Sequence, residues 1–125
     1  MAQRRILFIT TDSRIGGTER TVLSLLRHLP ADAFRCSLAV LKGGGELMPH
    51  YRDSAAAVYE MAVGPLPALE SIRRLIKIVK EERIDIVHSF LFHANMIARI
   101  IKIFYPQVVC VNSHRTMERG HLWHL

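Results

Sequence analysis

What most constrains this chain is the regular alternation of two kinds of apolar pattern. Residues 5–10 (RILFIT), 34–41 (FRCSLAVL), 85–88 (DIVH) and 108–112 (VVCVN) are short runs rich in branched apolar side chains, and 57–61 is a weaker one. Runs of that length and composition read as strands, buried on both faces where polar residues are scarce. Between them the period changes. Val22, Leu25, Leu26 and Leu29 fall at i, i+3, i+4 and i+7, and so do Ile72, Leu75, Ile76 and Val79. Each set forms one stripe of a helix. Pro30 is expected to stop the first helix, and a short helix is expected over 46–54, after the Gly43-Gly44-Gly45 turn. Residues 92–104 are apolar nearly all round, which predicts a well-buried helix.

Five strands alternating with four helices require right-handed crossovers and a parallel sheet. The expected fold class is α/β, a Rossmann-like three-layer sandwich whose parallel five-stranded sheet has the order 3-2-1-4-5. No linker or repeat divides residues 1–125, so one domain is expected.

Half of the 125 residues are hydrophobic and 22% are charged, which excludes a disordered chain. No apolar run reaches the roughly 18–20 residues of a membrane span. The greasiest stretch, 96–111, is interrupted by Arg99, Lys102, Pro106 and Gln107. Arg4 and Arg5 precede an apolar run at 6–9 that is too short for a secretion signal, so a cytoplasmic location is expected. Cys36 and Cys110 sit in apolar segments without CxxC spacing, which predicts buried thiols and argues against a metal or redox site. The formal charge of +6 suits nucleic acid, an anionic membrane surface or a phosphate-bearing ligand. Aromatic residues are few and are not interleaved with the basic ones, so nucleic acid is not expected as a partner.

In an open parallel sheet, ligands bind beyond the carboxyl ends of the strands. Four loops reach that edge: 11–17, 43–45, 88–93 and 113–119. In the first, Gly16 and Gly17 precede a helix, with Thr18 as its expected N-cap. Glycine allows close backbone approach, and free N–H groups at a helix start attract phosphate. The spacing matches neither GxGxxG nor a P-loop; a ligand-free tight turn is the plain alternative. His88 is expected to end the fourth strand and His93 to open the next helix. Their spacing does not stack two imidazoles on one helix face, and with no third ligand in view a zinc site is not expected. His88 is either a hydrogen-bonded structural residue or a polar group facing the cleft. His114 and Arg115 leave the fifth strand at the same edge, where imidazole can bond a hydroxyl and guanidinium can grip phosphate, or both are solvated loop residues. Glu118 and Asp12 are the nearby carboxylates. Arg73, Arg74, Lys77 and Lys80 make a basic helix face, either merely solvated or set against an anionic membrane surface.

Several of these segments, in this order, resemble the family 4 glycosyltransferases. RILFIT followed by Ile15-Gly16-Gly17-Thr18-Glu19-Arg20 is similar to that family's opening, a glycine pair followed by Ala or Thr and then Glu. Gly43 to Leu47 (GGGEL) resembles its second loop. Asp85-Ile86-Val87-His88-Ser89 with Phe92-His93-Ala94-Asn95 resembles its fourth strand and helix, and Ser113-His114-Arg115-Thr116-Met117-Glu118 the loop after its fifth strand. The resemblance implies a two-domain GB-type enzyme that transfers a sugar from a nucleotide-sugar donor to an acceptor hydroxyl with retention and without a required metal or other cofactor. It implies that His114 stands beside the transferred sugar, that Gly16 and Gly17 approach the donor phosphates or sugar, and that His88 lines the cleft. Thr18, Arg115 and Glu118 belong to the matching loops and are candidate donor- or acceptor-binding residues. The family's C-terminal half carries most of the nucleotide site, a basic pair for the diphosphate and a Glu–seven residues–Glu motif. None of these is found in residues 1–125, so the chain is expected to be the acceptor-side half and to be inactive by itself. The alternatives are a freestanding nucleotide- or anion-binding module and a gene fragment without function. Relatives building polysaccharides or glycolipids imply a peripheral position at the inner face of the plasma membrane.

Overall fold

A computed structural model describes residues 3–12, 17–42, 45–61 and 67–113. Along the chain run β1 (Arg4–Asp12), α1 (Gly17–His28), β2 (Phe34–Lys42), α2 (Met48–Ser54), β3 (Ala57–Glu60), α3 (Pro67–Glu81), β4 (Ile86–Phe90), α4 (Leu91–Phe104) and β5 (Val109–Ser113). The strands form one five-stranded sheet in the order β3-β2-β1-β4-β5, and every pairing is parallel. The fold is α/β and Rossmann-like, with helices on both faces.

β1 is central because it can be buried twice. Leu7 and Ile9 face one core, shared with Leu75, Val79, Ala98 and Ile101 of α3 and α4. Ile6 and Phe8 face the other, shared with Val22, Leu26, Met48 and Tyr51 of α1 and α2. A strand covered on both faces needs apolar residues at consecutive positions, and RILFIT supplies them.

The helical stripes are rotated from their expected centres. In α1 the buried apolar residues are Val22, Leu23 and Leu26, while Leu25, and Leu29 just after the helix, are half-buried. In α3 they are Leu75, Ile78 and Val79, while Ile72 and Ile76 are half-buried. The expectation for α4 is corrected. Ala94, Ala98 and Ile101 meet the core, but Met96, Ile103 and Phe104 are exposed, Ile103 by 72%. Two alanines let this helix lie close to the sheet, and Met96, Ile103 and Phe104 are left outside. Cys110 is also corrected: Cys36 is buried, whereas Cys110 is only half-buried, its Sγ 3.7 Å from Ala98 O. Burial pushes both thiols up from their ordinary pKa, Cys110 against an opposing pull from Lys102.

α3 ends without a glycine. Ile84 N–H donates to Val79 O (3.0 Å) and Arg83 N–H to Lys80 O (3.3 Å), with Arg83 at φ 53°. That is the Schellman pattern, with Arg83 at the left-handed position glycine usually takes. Ile84 and Val79 bury together in the core, which offsets the local strain. The turn is then tied to the sheet: Arg5 N–H donates to Asp85 Oδ2 and Asp85 N–H to Arg5 O, at 2.9 and 2.8 Å. Among the described residues no helix is long and apolar enough to cross a membrane.

Candidate functional site

β1 leads into α1 on one face of the sheet, and its neighbour β4 leads into α4 on the other. The chain therefore parts at the carboxyl ends of β1 and β4, which opens a crevice there. Two helices begin at that crevice. Their first-turn N–H groups carry partial positive charge and suit an anion. α4 has no side-chain cap at Phe90, its N-cap residue. On the α1 side Thr10 is fully buried in β1, two residues before its end, and its Oγ1 has no hydrogen-bond partner among the described residues. Glu19, in the first turn of α1, is buried at 9% exposure.

On the α4 side the crevice has a polar floor. Ser89 Oγ lies 2.6 Å from Asn95 Oδ1 and 2.9 Å from Asn112 Oδ1. Ser89 and Asn95 are buried, and Asn112 is exposed at the end of β5. The cluster joins β4, β5 and the second turn of α4 at the sheet edge. Sequence reasoning missed it as a unit. Its one signal was Asn112, a residue disfavoured in strands, closing the run VVCVN.

His88 stands in the middle of β4, two residues short of its end, and not at the end as expected. β4 runs on through Ser89 and Phe90 before the helix opens at Leu91. Its ring stacks on Phe90 (centroids 4.5 Å apart, planes 18° apart) and lies 5.4 Å from Phe8. The half-buried imidazole is held below its ordinary pKa by desolvation. Because the folded-state pKa is lowered, the unfolded chain takes up the proton first as pH falls. Stability from this group is present above about pH 6.5, the unfolded value, and is lost as pH falls from there through the folded value. Thermal midpoints of the chain should therefore drop between pH 7.5 and 5, and His88→Phe should flatten that slope. Parallel slopes for the two proteins would show that His88 does not cause it.

Gly17 opens α1 at the crevice. Thr18 is the second residue of α1 and so is not its N-cap, a correction that follows from the helix beginning at Gly17. His93 is the third residue of α4. Gly16, His114, Arg115 and Glu118 lie outside the described residues, and β5 ends at Ser113, next to His114. The basic residues Arg73, Arg74, Lys77 and Lys80 of α3 are exposed. Arg73, Ile76, Lys77 and Lys80 line a shallow depression with Glu81. A groove of about 380 Å3 between α1 and α2 is walled by Arg20, Arg27, His28 and His50.

Residues 15–125 match the family described as Glycosyltransferase Family 4. The chain belongs to that family. The match spans α1 through β5 and begins after β1. No curated protein matches the family 4 chain.

Proposed function

We propose that this family 4 chain is the acceptor-side half of a GB-type, retaining hexosyltransferase. It would move a sugar from a nucleotide-sugar donor to an acceptor hydroxyl, in polysaccharide or glycolipid synthesis. The observation that carries the reading is the family match over residues 15–125, on a sheet whose switch point gathers the ends of β1, β4 and β5. In this reading Gly16, Gly17 and Thr18 let backbone and the α1 N-terminus approach the donor phosphates. His114, Arg115 and Glu118 follow β5 and address the sugar and diphosphate. His88 supports the cleft wall from within β4. The reaction needs no metal or other cofactor, because helix N-termini and basic side chains disperse the leaving group's charge.

The test is sugar transfer. The intact enzyme, with this chain as its N-terminal half and a second domain carrying the diphosphate clamp, is expected to turn over one nucleotide sugar from a panel with retained configuration. Residues 1–125 expressed alone are expected to fold and to transfer none. Turnover by these 125 residues alone would overturn the half-enzyme reading, and a product of inverted configuration would remove the retaining one.

The same reading puts the enzyme in the cytoplasm, peripheral at the inner face of the plasma membrane. The exposed cations of α3 are the contact it would use. Vesicles containing anionic lipid are expected to retain the chain at low salt and release it at high salt. Equal retention by neutral and anionic vesicles would remove that contact.

A further inference from the structure

The groove between α1 and α2 is walled by one helical stripe. Arg20, Ser24, Arg27 and His28 stand at i, i+4, i+7 and i+8 of α1, and His50 joins them from the third position of α2. All five are exposed, around a floor of Leu23 and Leu47 that is buried. Among the described residues no carboxylate lines the groove. Arg5, Arg35 and Arg52 each meet a glutamate, whereas Arg20 and Arg27 enter no ion pair among the described residues. Helix electrostatics account for only part of this. Arg27 and His28, in the last turn, complement the negative end of the α1 dipole. Arg20 is the fourth residue, where the dipole disfavours a cation, so helix stability does not account for its charge. The ring of His28 is also oriented. Its Nδ1 lies 2.8 Å from Ser24 O, and a carbonyl only accepts, so Nδ1 carries the proton and donates. In the neutral ring Nε2 is then an acceptor, suited to a hydroxyl.

We propose that this groove is an acceptor subsite for an acidic carbohydrate, whose anionic groups meet Arg20 and Arg27 and whose hydroxyls meet His28 and Ser24. The proposal rests on the glycosyltransferase reading and narrows its acceptor to a sugar chain bearing carboxylate or phosphate. Size and shape choose among anions. The groove holds about 380 Å3, within the range of roughly 300–1,000 Å3 of small-molecule sites and more than a bare inorganic anion fills. At about 1.5 Å per residue, Arg20 and Arg27 are about 10 Å apart along the helix axis, so the positive charge is strung along α1 and matches an extended ligand. Leu23 and Leu47 suit sugar rings, which are apolar on their C–H faces. No aromatic residue lines the groove to stack a base, which disfavours a nucleic acid strand. α1 begins at the crevice, and Arg20 is one turn inside it. A chain lying along α1 from Arg27 to Arg20 therefore points its end at the crevice, where the acceptor hydroxyl is needed.

The experiment uses the 15N-labelled chain and amide spectra, which detect weak binding. The probes are tetragalacturonate, the neutral tetrasaccharide maltotetraose and the acidic peptide tetraglutamate. Tetragalacturonate is expected to move the backbone amides of residues 20–28 and of His50. It should leave those of residues 70–81 in place, although α3 carries the exposed cations Arg73, Arg74, Lys77 and Lys80. Maltotetraose and tetraglutamate should each bind at least about 10-fold more weakly, because one lacks the charges and the other the rings and hydroxyls. Arg20→Gln and Arg27→Gln, exposed changes that keep a helix-forming residue, should each weaken tetragalacturonate binding about 2- to 5-fold, the usual worth of an exposed ion pair. In the intact enzyme the double variant should raise the acceptor KM far more than it lowers kcat, with the donor KM unmoved. Equal binding of maltotetraose or tetraglutamate, shifts spread over α3, no shifts with tetragalacturonate, or unchanged affinity in both glutamine variants would each overturn the proposal. An enzyme that transfers sugar with an unchanged acceptor KM in the double variant loses this proposal alone, and one that transfers none loses the parent reading.

Discussion

Replacing His114 by alanine in the intact enzyme is expected to lower turnover by about 10²–10³-fold, the usual effect of removing a positioned hydrogen bond that strengthens in the transition state. We propose for His114 the role beside the transferred sugar that the family resemblance implies. β5 ends at Ser113, one strand from the switch point. An imidazole there would orient the donor sugar and disperse charge as the bond to phosphate breaks. The loss should therefore fall on kcat more than on donor affinity. Circular dichroism should show an intact fold, and a donor titration should show little change. A folded His114→Ala enzyme with near-normal turnover would reduce His114 to a loop residue and leave the family membership standing.

The second large effect concerns stability. Phe8 is 1% exposed in the central strand, packed under α1 and α2. Phe8→Ala is expected to cost about 3–5 kcal/mol, because the ring's burial is lost and a cavity remains that the sheet cannot close. Domains of this kind have a total stability of only about 5–15 kcal/mol, so the variant should be marginal at best. The denaturant midpoint should fall sharply with an unchanged slope. Phe8→Leu, which leaves a smaller void, should lose far less. The alanine variant has a second readout. Phe8 covers the imidazole of His88, at 5.4 Å between centroids. Opening that cover admits water, so the pKa of His88 should return toward its ordinary value. A loss below about 1 kcal/mol would mean that the helices collapse onto the gap, the least costly outcome for a core deletion.

Much of this fold is local and was legible. Consecutive apolar residues in RILFIT required a strand covered on both faces, and alternation with helical stripes required parallel pairing. The order β3-β2-β1-β4-β5 was expected on that basis and is observed. The motif segments from Ile15 onward that carry the family resemblance lie within the residues matched by family 4, and RILFIT precedes them. Where the reading failed, the cause was register or neighbours. The sequence places β4 at 85–88, because the short segment DIVH does not reveal that the strand continues through Ser89 and Phe90. That shift moved His88 from the strand's end into its interior, between aromatic rings. The helix at 92–104 reads as buried all round, because its apolar residues do not show that Ala94, Ala98 and Ile101 meet the core while Met96, Ile103 and Phe104 face outward.

The sequence by itself therefore determined the class of fold, the order of its elements and the family, since these follow from patterns within a few residues of one another. Only the tertiary structure decided which polar groups meet. Ser89, Asn95 and Asn112 come from a strand, a helix and a second strand, and nothing in their spacing announces a shared hydroxyl. Arg83 takes a left-handed conformation that its side chain disfavours, because Ile84 and Val79 gain more by burying together than the turn loses. In both cases the deciding interaction joins residues brought together by the fold, and its energy depends on burial, which no local pattern records.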